Sequence, residues 1–249
     1  MEIHQSNMKD LHCHLLYGID DGSRSLEESI ELLKIMEESG ITECILTPHY
    51  IEETKYVCNN KDKEALKKAL EDKVKENNIN IKLYLGNEVF INSNMLELIR
   101  NGEISTLNNS KYVLFEFPMR QRYHNTTVII NELVSNGYIP ILAHPERYEV
   151  FQRHPNLLED YLSSGLLLQG NFTSLFGKYG RRPEKTLKYF LKKKWISFLG
   201  SDTHHGLNFD IKKLEKKLLK ITKDPVYVNL LLNDNFDRVI NNEDIGIVR

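Results

Sequence analysis

The sequence predicts an α/β protein whose parallel strands form a closed or nearly closed barrel. Short β-rich apolar runs recur about seven times, and a helical pattern follows each of them. Runs such as "ECILTPH" and "IPILAH" are apolar on both faces, as expected of strands buried on both sides. The chain has 249 residues, a length that suits one such barrel. No low-complexity linker divides it, so we expect a single domain over residues 1–249.

The predicted strands and helices alternate along the chain. Strands are expected at residues 10–15, 44–49, 81–91, 112–117, 139–144, 166–170 and 196–201. The clearest helix is "SLEESIELLKIMEESG", where Ser25 and Glu28 form a capping box and Gly40 suits the position after the last turn. Further helices are expected at residues 61–76, 126–136, 155–164, 183–194 and 211–220. We expect the charged face of helix 61–76 to be solvated.

Composition excludes several classes of protein. A net charge of −2 and a pI near 6.5 give no electrostatic reason to expect binding to nucleic acid or to an anionic membrane. No segment has the length and apolar character of a membrane span or a signal peptide. The three cysteines are odd in number and lack C-x-x-C spacing, which favours a reducing, cytoplasmic location.

Ionisable residues follow the predicted strands to an unusual degree. His12 and His14 are two residues apart, so on a strand their side chains point to the same side. A parallel barrel gathers the carboxyl ends of its strands at one mouth, where residues from distant parts of the chain converge. Imidazole and carboxylate groups are the usual ligands of zinc, manganese and iron. Nine residues are therefore candidate ligands, enough for two or three metal ions: His12, His14, Asp21, His49, Glu88, Glu116, His144, Asp202 and His204.

Each of these residues also has a structural explanation. A lone histidine near a strand end is usually a hydrogen-bonded structural residue, and "IDDGS" suits a turn before a helix. Glu116 is harder to explain in this way, because a buried carboxylate without a partner costs several kcal/mol or shifts its pKa. The joint occurrence at strand ends is what favours metal binding. Three arginines are weaker candidates for binding an anionic substrate, the alternative being solvated basic loops: Arg120, Arg122 and Arg181.

Six motifs in a fixed order resemble a known superfamily. H-x-H with a downstream "DDG", then "TPH", "GNE", "EFP", "AHPERY" and "SDTHH", resemble the PHP (polymerase and histidinol phosphatase) superfamily. Within it, "DDGSRSLEES", "LFEFP", "PILAHPERY" and "LLLQGNFTSLFGKYG" resemble the metal-dependent protein-tyrosine phosphatases of bacterial capsular and extracellular polysaccharide operons. The resemblance runs from about Lys9 to His204.

The resemblance implies a distorted (β/α)7 barrel with a trinuclear site, often of manganese; iron, zinc, magnesium and cobalt remain alternatives. It implies that one metal is held by His12, His14, Glu88 and Asp202. A second metal would be bridged by Glu88 and held by Glu116 and His144, and the third would be held by Asp21, His49 and His204. Arg147 matches an arginine that the family uses on the phosphate. A second family arginine usually follows the last D-x-H motif, but this chain has "HGLNFD" there.

The implied activity is metal-assisted hydrolysis of phosphotyrosine, with Arg147 binding the phosphate. His204 or a water would donate the proton to the leaving group. A thiol mechanism is not indicated, because none of the cysteines begins a C-x5-R loop. The expected partner is a phosphotyrosine protein, the tail of a bacterial tyrosine kinase that controls polysaccharide synthesis, and a homo-oligomer is an open alternative. Other hypotheses are a phosphatase acting on a histidinol-phosphate-type small molecule, a nuclease, and a non-catalytic metal-bound scaffold.

Overall fold

The computed structural model describes residues 7–120 and 125–245. All the strand pairs in these residues are parallel. The predicted α/β class with a parallel sheet is therefore confirmed. In chain order, the strands are β1 Met8–Cys13, β2 Ile41–Leu46, β3 His49–Tyr50, β4 Lys82–Leu85, β5 Glu88–Phe90, β6 Tyr112–Glu116, β7 Ile139–Ala143, β8 Leu167–Asn171 and β9 Phe198–Gly200.

Helices connect the strands in the predicted alternation. They are α1 Leu26–Glu38, α2 Asn60–Glu76, α3 Met95–Arg100, α4 Thr126–Ser135, α5 Glu149–Arg153, α6 Leu158–Ser163, α7 Arg181–Lys192, α8 Ile211–Thr222, α9 Pro225–Asn229 and α10 Asn235–Ile240. Single 3-10 turns precede or separate several of them, and one of these, Pro155–Leu157, forms the first part of the predicted helix 155–164. None of the helices in the described ranges is both long and apolar enough to cross a bilayer.

The strands form one curled parallel sheet in two hydrogen-bonded sections. The first section has the order β1-β2-β4 and the second the order β3-β5-β6-β7-β8-β9. The chain passes from the first section to the second twice, at the short breaks between β2 and β3 and between β4 and β5. The ends of β1 and β9 also meet: the N–H of His14 donates to the carbonyl of Thr203 at 2.9 Å, and the N–H of Asp202 donates to the carbonyl of His12 at 2.9 Å. The first and last strands are thus joined beside the candidate ligands.

The predicted strand 81–91 is wrong in one respect, because it is two strands separated by Gly86 and Asn87. The side chain of Asn87 donates to the carbonyl of Pro48 at 2.9 Å and accepts from the N–H of Ser105 at 2.8 Å. A Cβ on Gly86 would lie 2.7 Å from Cδ2 of Leu107, so only glycine fits this approach. The break turns the chain so that Glu88 begins the second section of the sheet.

Lys63 corrects the expectation that the charged face of α2 is entirely solvated. Its side chain is buried, and its Nζ donates to Oδ1 of Asn87 and, at 3.0 Å, to Oγ of Ser105. Burial lowers the pKa of Lys63 to about 7. Periodicity cannot distinguish this lysine from its solvated neighbours, since its partners lie on other elements. Lys63 therefore stabilises the interruption between β4 and β5, directly before Glu88.

The tail after His205 packs against the sheet and holds β9 in place. Helices α9 and α10 are joined by a π-helical turn, Leu230–Asp234, and pack against the sheet. The hydroxyl of Tyr227 donates to the carbonyl of Ile196 at 2.5 Å, and Asn235 donates to the carbonyl of Ser197 at 2.8 Å. These bonds hold the segment that leads into β9. The tail thus supports the strand that carries Asp202 at its end.

The predicted start of α1 is half right. Oγ of Ser25 accepts from the N–H of Glu28 at 3.3 Å, as a capping box requires. The carboxylate of Glu28, however, accepts from the N–H of Arg24 at 2.7 Å and not from Ser25. Gly40 has φ +94° directly after the last turn, as predicted. This helix begins just after the loop that carries Asp21.

Candidate metal centre

The nine predicted ligands converge at the carboxyl ends of the strands. Their nitrogen and oxygen atoms form three overlapping groups, within each of which all atoms lie within 4.8 Å of one another. The first group is His14, Asp21, His49 and His204; the second is His12, His14 and Asp202; the third is His49, Glu88 and Glu116. His144 joins them through Glu88, whose Oε1 lies 2.8 Å from its Nε2. All nine therefore belong to one cluster, which we call the donor cluster.

Glu88 lies at the centre of the donor cluster and is fully buried. Its Oε2 is 3.2 Å from Nε2 of His12, 3.2 Å from Nε2 of His14 and 3.2 Å from Nδ1 of His49. Metal–ligand bonds of about 2.1 Å place neighbouring ligand atoms about 3.0–3.5 Å apart in octahedral and tetrahedral sites. The spacing around Glu88 is the spacing of atoms that share a metal ion.

Three histidines turn Nε2 towards the cluster, while Nδ1 bonds to an oxygen atom outside it. Nδ1 of His12 donates to Oε1 of Gln169 at 2.8 Å, and Nδ1 of His14 donates to Oδ2 of Asp20 at 2.8 Å. Nδ1 of His204 donates to the carbonyl of Asp202 at 3.2 Å. Since these oxygens only accept, the proton of each neutral ring is on Nδ1 and the lone pair is on Nε2. Metal-binding histidines commonly have this arrangement.

Asp202 and Arg147 form the edge of the cluster next to β9. Oδ1 of Asp202 lies 3.6 Å from Nε2 of His14 and 3.8 Å from Nε2 of His12. Its Oδ2 accepts from Arg147 at 2.5 Å and from the side chain of Asn171 at 2.8 Å. Burial opposes ionisation, but the interactions with His12, His144 and Arg147 hold the pKa of Asp202 below its usual range. Asp202 is therefore a carboxylate over the physiological pH range.

Glu116 lies opposite, on β6. Its carboxylate is 3.4 Å from Nδ1 of His49 and 3.8 Å from Nε2 of His144. Burial, together with the negative charge of Glu88, raises the pKa of Glu116 to about 9. Without a compensating cation, Glu116 is protonated at neutral pH. Its position beside the carboxylate of Glu88 is chemically consistent with a cation that the two residues share.

Asp21 and His49 form the outer edge of the cluster. Oδ1 of Asp21 lies 3.4 Å from Nε2 of both His49 and His204. The bond to His204 lowers the pKa of Asp21 to about 2. Burial lowers the pKa of His49 to about 4 and also lowers that of His144. Both rings are therefore neutral at pH 7, as metal ligands must be.

Two candidate ligands have strained backbones. His144 has φ +36° and Asp202 has φ +50°, in the left-handed region that non-glycine residues rarely adopt. His144 directly follows β7, and Asp202 lies two residues after the end of β9. This conformation turns the side chain from the strand into the cluster. Such strain is commonly found at functional sites, where the surrounding structure enforces it.

The donor set fits divalent metal ions. Three buried atoms in the cluster have no hydrogen-bond partner within the described ranges: Nδ1 of His49, Oε2 of Glu88 and Nδ1 of His144. Buried polar atoms are almost always satisfied, so these call for a partner of another kind. Nitrogen and carboxylate oxygen donors suit zinc, manganese and iron. The cluster can therefore hold more than one divalent cation.

Sequence reasoning missed the residues that orient the ligands. Asp20 is half of the "DD" pair, but only Asp21 was a candidate ligand; Asp20 instead accepts from His14, and from the N–H groups of Gly22 at 2.8 Å and His49 at 3.0 Å. Gln169 and Asn171 lie on β8, on the side that faces the cluster. Their two-residue spacing on a predicted strand, which places both side chains on one face, is the one feature of the sequence that could have identified them.

Two of the weaker candidates for substrate binding are not brought into the cluster. Arg120 is exposed at the end of a described range, and Arg181 is exposed as the first residue of α7. Arg122 lies outside the described residues. Arg147 does reach the cluster: besides Asp202, its guanidinium lies 4.4 Å from the ring centroid of Tyr179. The phenol of Tyr179 donates to Oδ2 of Asp202 at 3.2 Å.

Comparison with known proteins supports one family. Residues 8–241 match the family described as capsular polysaccharide synthesis, CpsB/CapC. A Staphylococcus aureus protein named as a candidate tyrosine-protein phosphatase, CapC, is 34% identical over 83% of this chain and 82% of its own length. The tyrosine-protein phosphatase YwqE of Bacillus subtilis is 29% identical, over 80% and 78% of the two chains.

Solved structures agree. One from a set that comprises YwqE of Bacillus subtilis and CpsB of Streptococcus pneumoniae, described as unique metal-dependent tyrosine phosphatases, has a TM-score of 0.86 at 27% identity and covers 96% of each chain. A phosphotriesterase homology protein of Escherichia coli shares the fold alone, with a TM-score of 0.58 at 10% identity over 96% and 100% of the two chains. The protein belongs to the CpsB/CapC family of capsular polysaccharide synthesis.

Proposed function

We propose that the chain is a metal-dependent phosphatase that hydrolyses phosphotyrosine in proteins. The observation that carries this proposal is the arrangement around Glu88, whose Oε2 lies 3.2 Å from ring nitrogens of His12, His14 and His49 within the donor cluster. The family and its phosphatase members support the choice of phosphotyrosine as substrate. Arg147 beside the cluster supports an anionic substrate.

The finer assignments belong to the same proposal. We assign residues 1–249 to one PHP-type domain with a distorted (β/α)7 barrel. We assign two or three divalent ions to the cluster, with manganese as the first choice, and a cytoplasmic location. The proposed partner is the phosphorylated tail of a bacterial tyrosine kinase that controls polysaccharide synthesis. The curled sheet, the join between β1 and β9, and the family match support these assignments.

Different groups at the site would contribute to different parts of the reaction. Bound cations would lower the pKa of water and stabilise charge on the phosphoryl oxygens. Arg147 offers paired N–H donors to the phosphate, and the ring of Tyr179 holds the plane of its guanidinium. A phenolate leaving group, with a pKa of about 10, needs only modest help from a proton donor. A water at the mouth of the site, beside the quarter-exposed His204, could supply that proton.

The test is a Glu88→Gln variant of the metal-loaded protein. One neutral amide cannot bridge two cations as a carboxylate does, so we expect a lower metal content by elemental analysis and a loss of activity on a phosphotyrosine peptide of more than about 100-fold. Glu97→Gln, at an exposed position on α3, is the matched control and should change neither quantity. An unchanged metal content in Glu88→Gln would contradict the assignment of the cluster.

The substrate class has its own test. The wild-type protein, loaded with manganese, iron, zinc, magnesium or cobalt in turn, is assayed on a phosphotyrosine peptide and on histidinol phosphate. Faster turnover of the peptide is expected. Preference for histidinol phosphate would favour the small-molecule phosphatase, and binding of the peptide without release of phosphate would favour the scaffold.

A further inference from the structure

A cavity of about 400 Å³ lies beside the donor cluster and is not used by the chemistry above. It is lined by Thr173, Phe176, Lys178, Gly206, Leu207 and Asn208. One wall follows β8 and the other follows β9, so the cavity opens on the same side of the sheet as the cluster. Gly206 is two residues beyond His204, and Oγ1 of Thr173 donates to the carbonyl of Ser201 at 3.5 Å. The cavity and the cluster are therefore neighbours.

A tight turn sets the position of Lys178 at the rim of this cavity. The N–H of Gly180 donates to the carbonyl of Gly177 at 2.9 Å, which places Lys178 and Tyr179 at the two central positions of the turn. Gly177 and Gly180 have φ +81° and +90°, which favour glycine. Tyr179 is anchored in turn by Arg147 and Asp202. The turn thus holds Lys178 close to Arg147, the residue proposed to bind the phosphate.

Lys178 is a cation without an ion-pair partner in the part of the chain that the structure describes. Its Nζ lies 5.3 Å from the ring centroid of Tyr179, the same ring that Arg147 contacts at 4.4 Å. The two cations are therefore no more than about 10 Å apart. Partial burial lowers the pKa of Lys178, and a carboxylate bound beside its ammonium group would offset this desolvation. The other walls are largely apolar, with Phe176 40% exposed and Leu207 buried.

We propose that this cavity is a specificity subsite, resting on the proposed phosphatase function, that receives the residue next to the phosphotyrosine and uses Lys178 to select an anionic side chain there. Neighbouring residues of an extended peptide advance about 3.5 Å, and their side chains diverge. A phosphate on Arg147 and a carboxylate on Lys178 therefore fit one substrate chain. The apolar wall of Phe176 and Leu207 packs against the methylene groups of that side chain.

The experiment compares three substrates of the metal-loaded enzyme. Two are phosphotyrosine peptides that differ only in Glu or Gln beside the phosphotyrosine, tested on either flank, and the third is para-nitrophenyl phosphate, which has no neighbouring residue. For the wild type we expect kcat/KM to favour the Glu peptide by about twofold to fivefold, and less at high salt. Lys178→Met should abolish the preference while turnover of para-nitrophenyl phosphate stays unchanged. Lys178→Glu should favour a peptide with Lys at that position.

Lys68→Met, at an exposed position on α2, is the matched control and should retain the preference for Glu. A wild type that turns over both peptides equally would overturn the subsite and leave the phosphatase function standing. An equal loss on all three substrates in Lys178→Met would overturn it too, because it would mean that Lys178 contacts the phosphate. If the wild type turns over none of the substrates with any metal, the phosphatase function fails and the subsite fails with it.

Discussion

Asp20 shows at the scale of one residue how the cluster is oriented. It is buried beside His14, and its carboxylate accepts three hydrogen bonds, from the His14 ring and from two backbone N–H groups. The bond from His14 fixes the proton on Nδ1 and turns Nε2 towards Glu88. The negative charge of Asp20 also makes the ring a stronger electron donor. Asp20 is thus a positioning residue for His14.

We expect Asp20→Asn to weaken metal binding by about 10- to 100-fold, since a neutral amide of the same shape orients the ring less strictly and does not increase its basicity. A titration of metal-free protein with manganese, followed by calorimetry, measures this change. Asp72→Asn, at an exposed position on α2, is the control and should bind as the wild type does. Wild-type affinity in Asp20→Asn would show that His14 does not depend on this bond.

Single residues also show the limits of the sequence as evidence. The convergence of the candidate ligands could be predicted because histidines and acids occur together at the ends of successive predicted strands. Gln169, Asn171 and Lys63 could not, because amides and lysines are common at solvated positions and their partners lie far away in sequence. The substrate candidates Arg120 and Arg181 had only charge in their favour. The charge of a side chain does not tell whether it points towards the site or into solvent.

At the scale of elements, β8 and β9 are held close together by small residues. A Cβ on Gly200, the last residue of β9, would lie 2.7 Å from Cβ of His12 and 2.8 Å from Nε2 of Gln169. Neither neighbour is free to move, because Gln169 is bonded to both His12 and Asn171. The absence of a side chain at residue 200 therefore lets β1 and β8 approach β9 at the level of the cluster.

Gly200→Ala should reduce the free energy of unfolding by about 1–3 kcal/mol, because the new methyl group displaces His12 or Gln169. Metal content should fall as well. Gly206→Ala makes the same chemical change where a Cβ meets nothing within 4 Å and where φ is not positive, so its stability should match that of the wild type. Denaturant unfolding measures the free energy of unfolding of both variants. Equal values would mean that the strands can move apart without loss of stability.

The elements themselves were predicted well where periodicity is strong and less well elsewhere. The seven predicted strands are all present, but two are broken, because Pro48 and Asn87 redirect the chain through bonds to other elements. The short helices α3 and α5 were not predicted, since a run of five or six residues carries too little pattern. Helices α9 and α10 were missed because contacts with the sheet, and not local propensity, determine them.

At the scale of the whole molecule, the donor cluster concentrates negative charge inside the protein. Without metal, Glu116 is protonated in the folded chain with a pKa of about 9, against 4.5 when unfolded. A pKa that folding raises contributes stability at low pH and loses it as pH rises towards the folded value. His49 and His144, whose pKa values burial lowers, are neutral in both states above pH 6.5 and contribute nothing there.

We therefore expect the stabilisation that metal provides to grow by about 2 kcal/mol between pH 7 and pH 9, because the bound ions replace the proton on Glu116. The readout is the difference in unfolding free energy between loaded and metal-free protein. Lys63, with a folded pKa of about 7, changes stability in the opposite sense over this range but does so equally in both forms. Glu116→Gln should reduce the growth with pH; the remainder would come from His12 and His14, whose pKa values neighbouring carboxylates raise although burial opposes this. A constant difference in the wild type would contradict the assignment of Glu116.

The family and the parallel α/β sheet are the two whole-molecule predictions that are confirmed. Both follow from an ordered series of motifs spread over most of the chain, which chance does not readily produce. The exact closure of the sheet is not readable from sequence, because it depends on small offsets between strands.

The bonds that link His14 to Thr203 and Asp202 to His12 also bear on how the protein is made. During synthesis the two histidines leave the ribosome when almost the entire chain, including Asp202, has still to be translated. A pairing so distant in sequence is slow to form, since the loop between its ends must close first. The complete donor cluster can therefore assemble only after Asp202 and His204 have been translated.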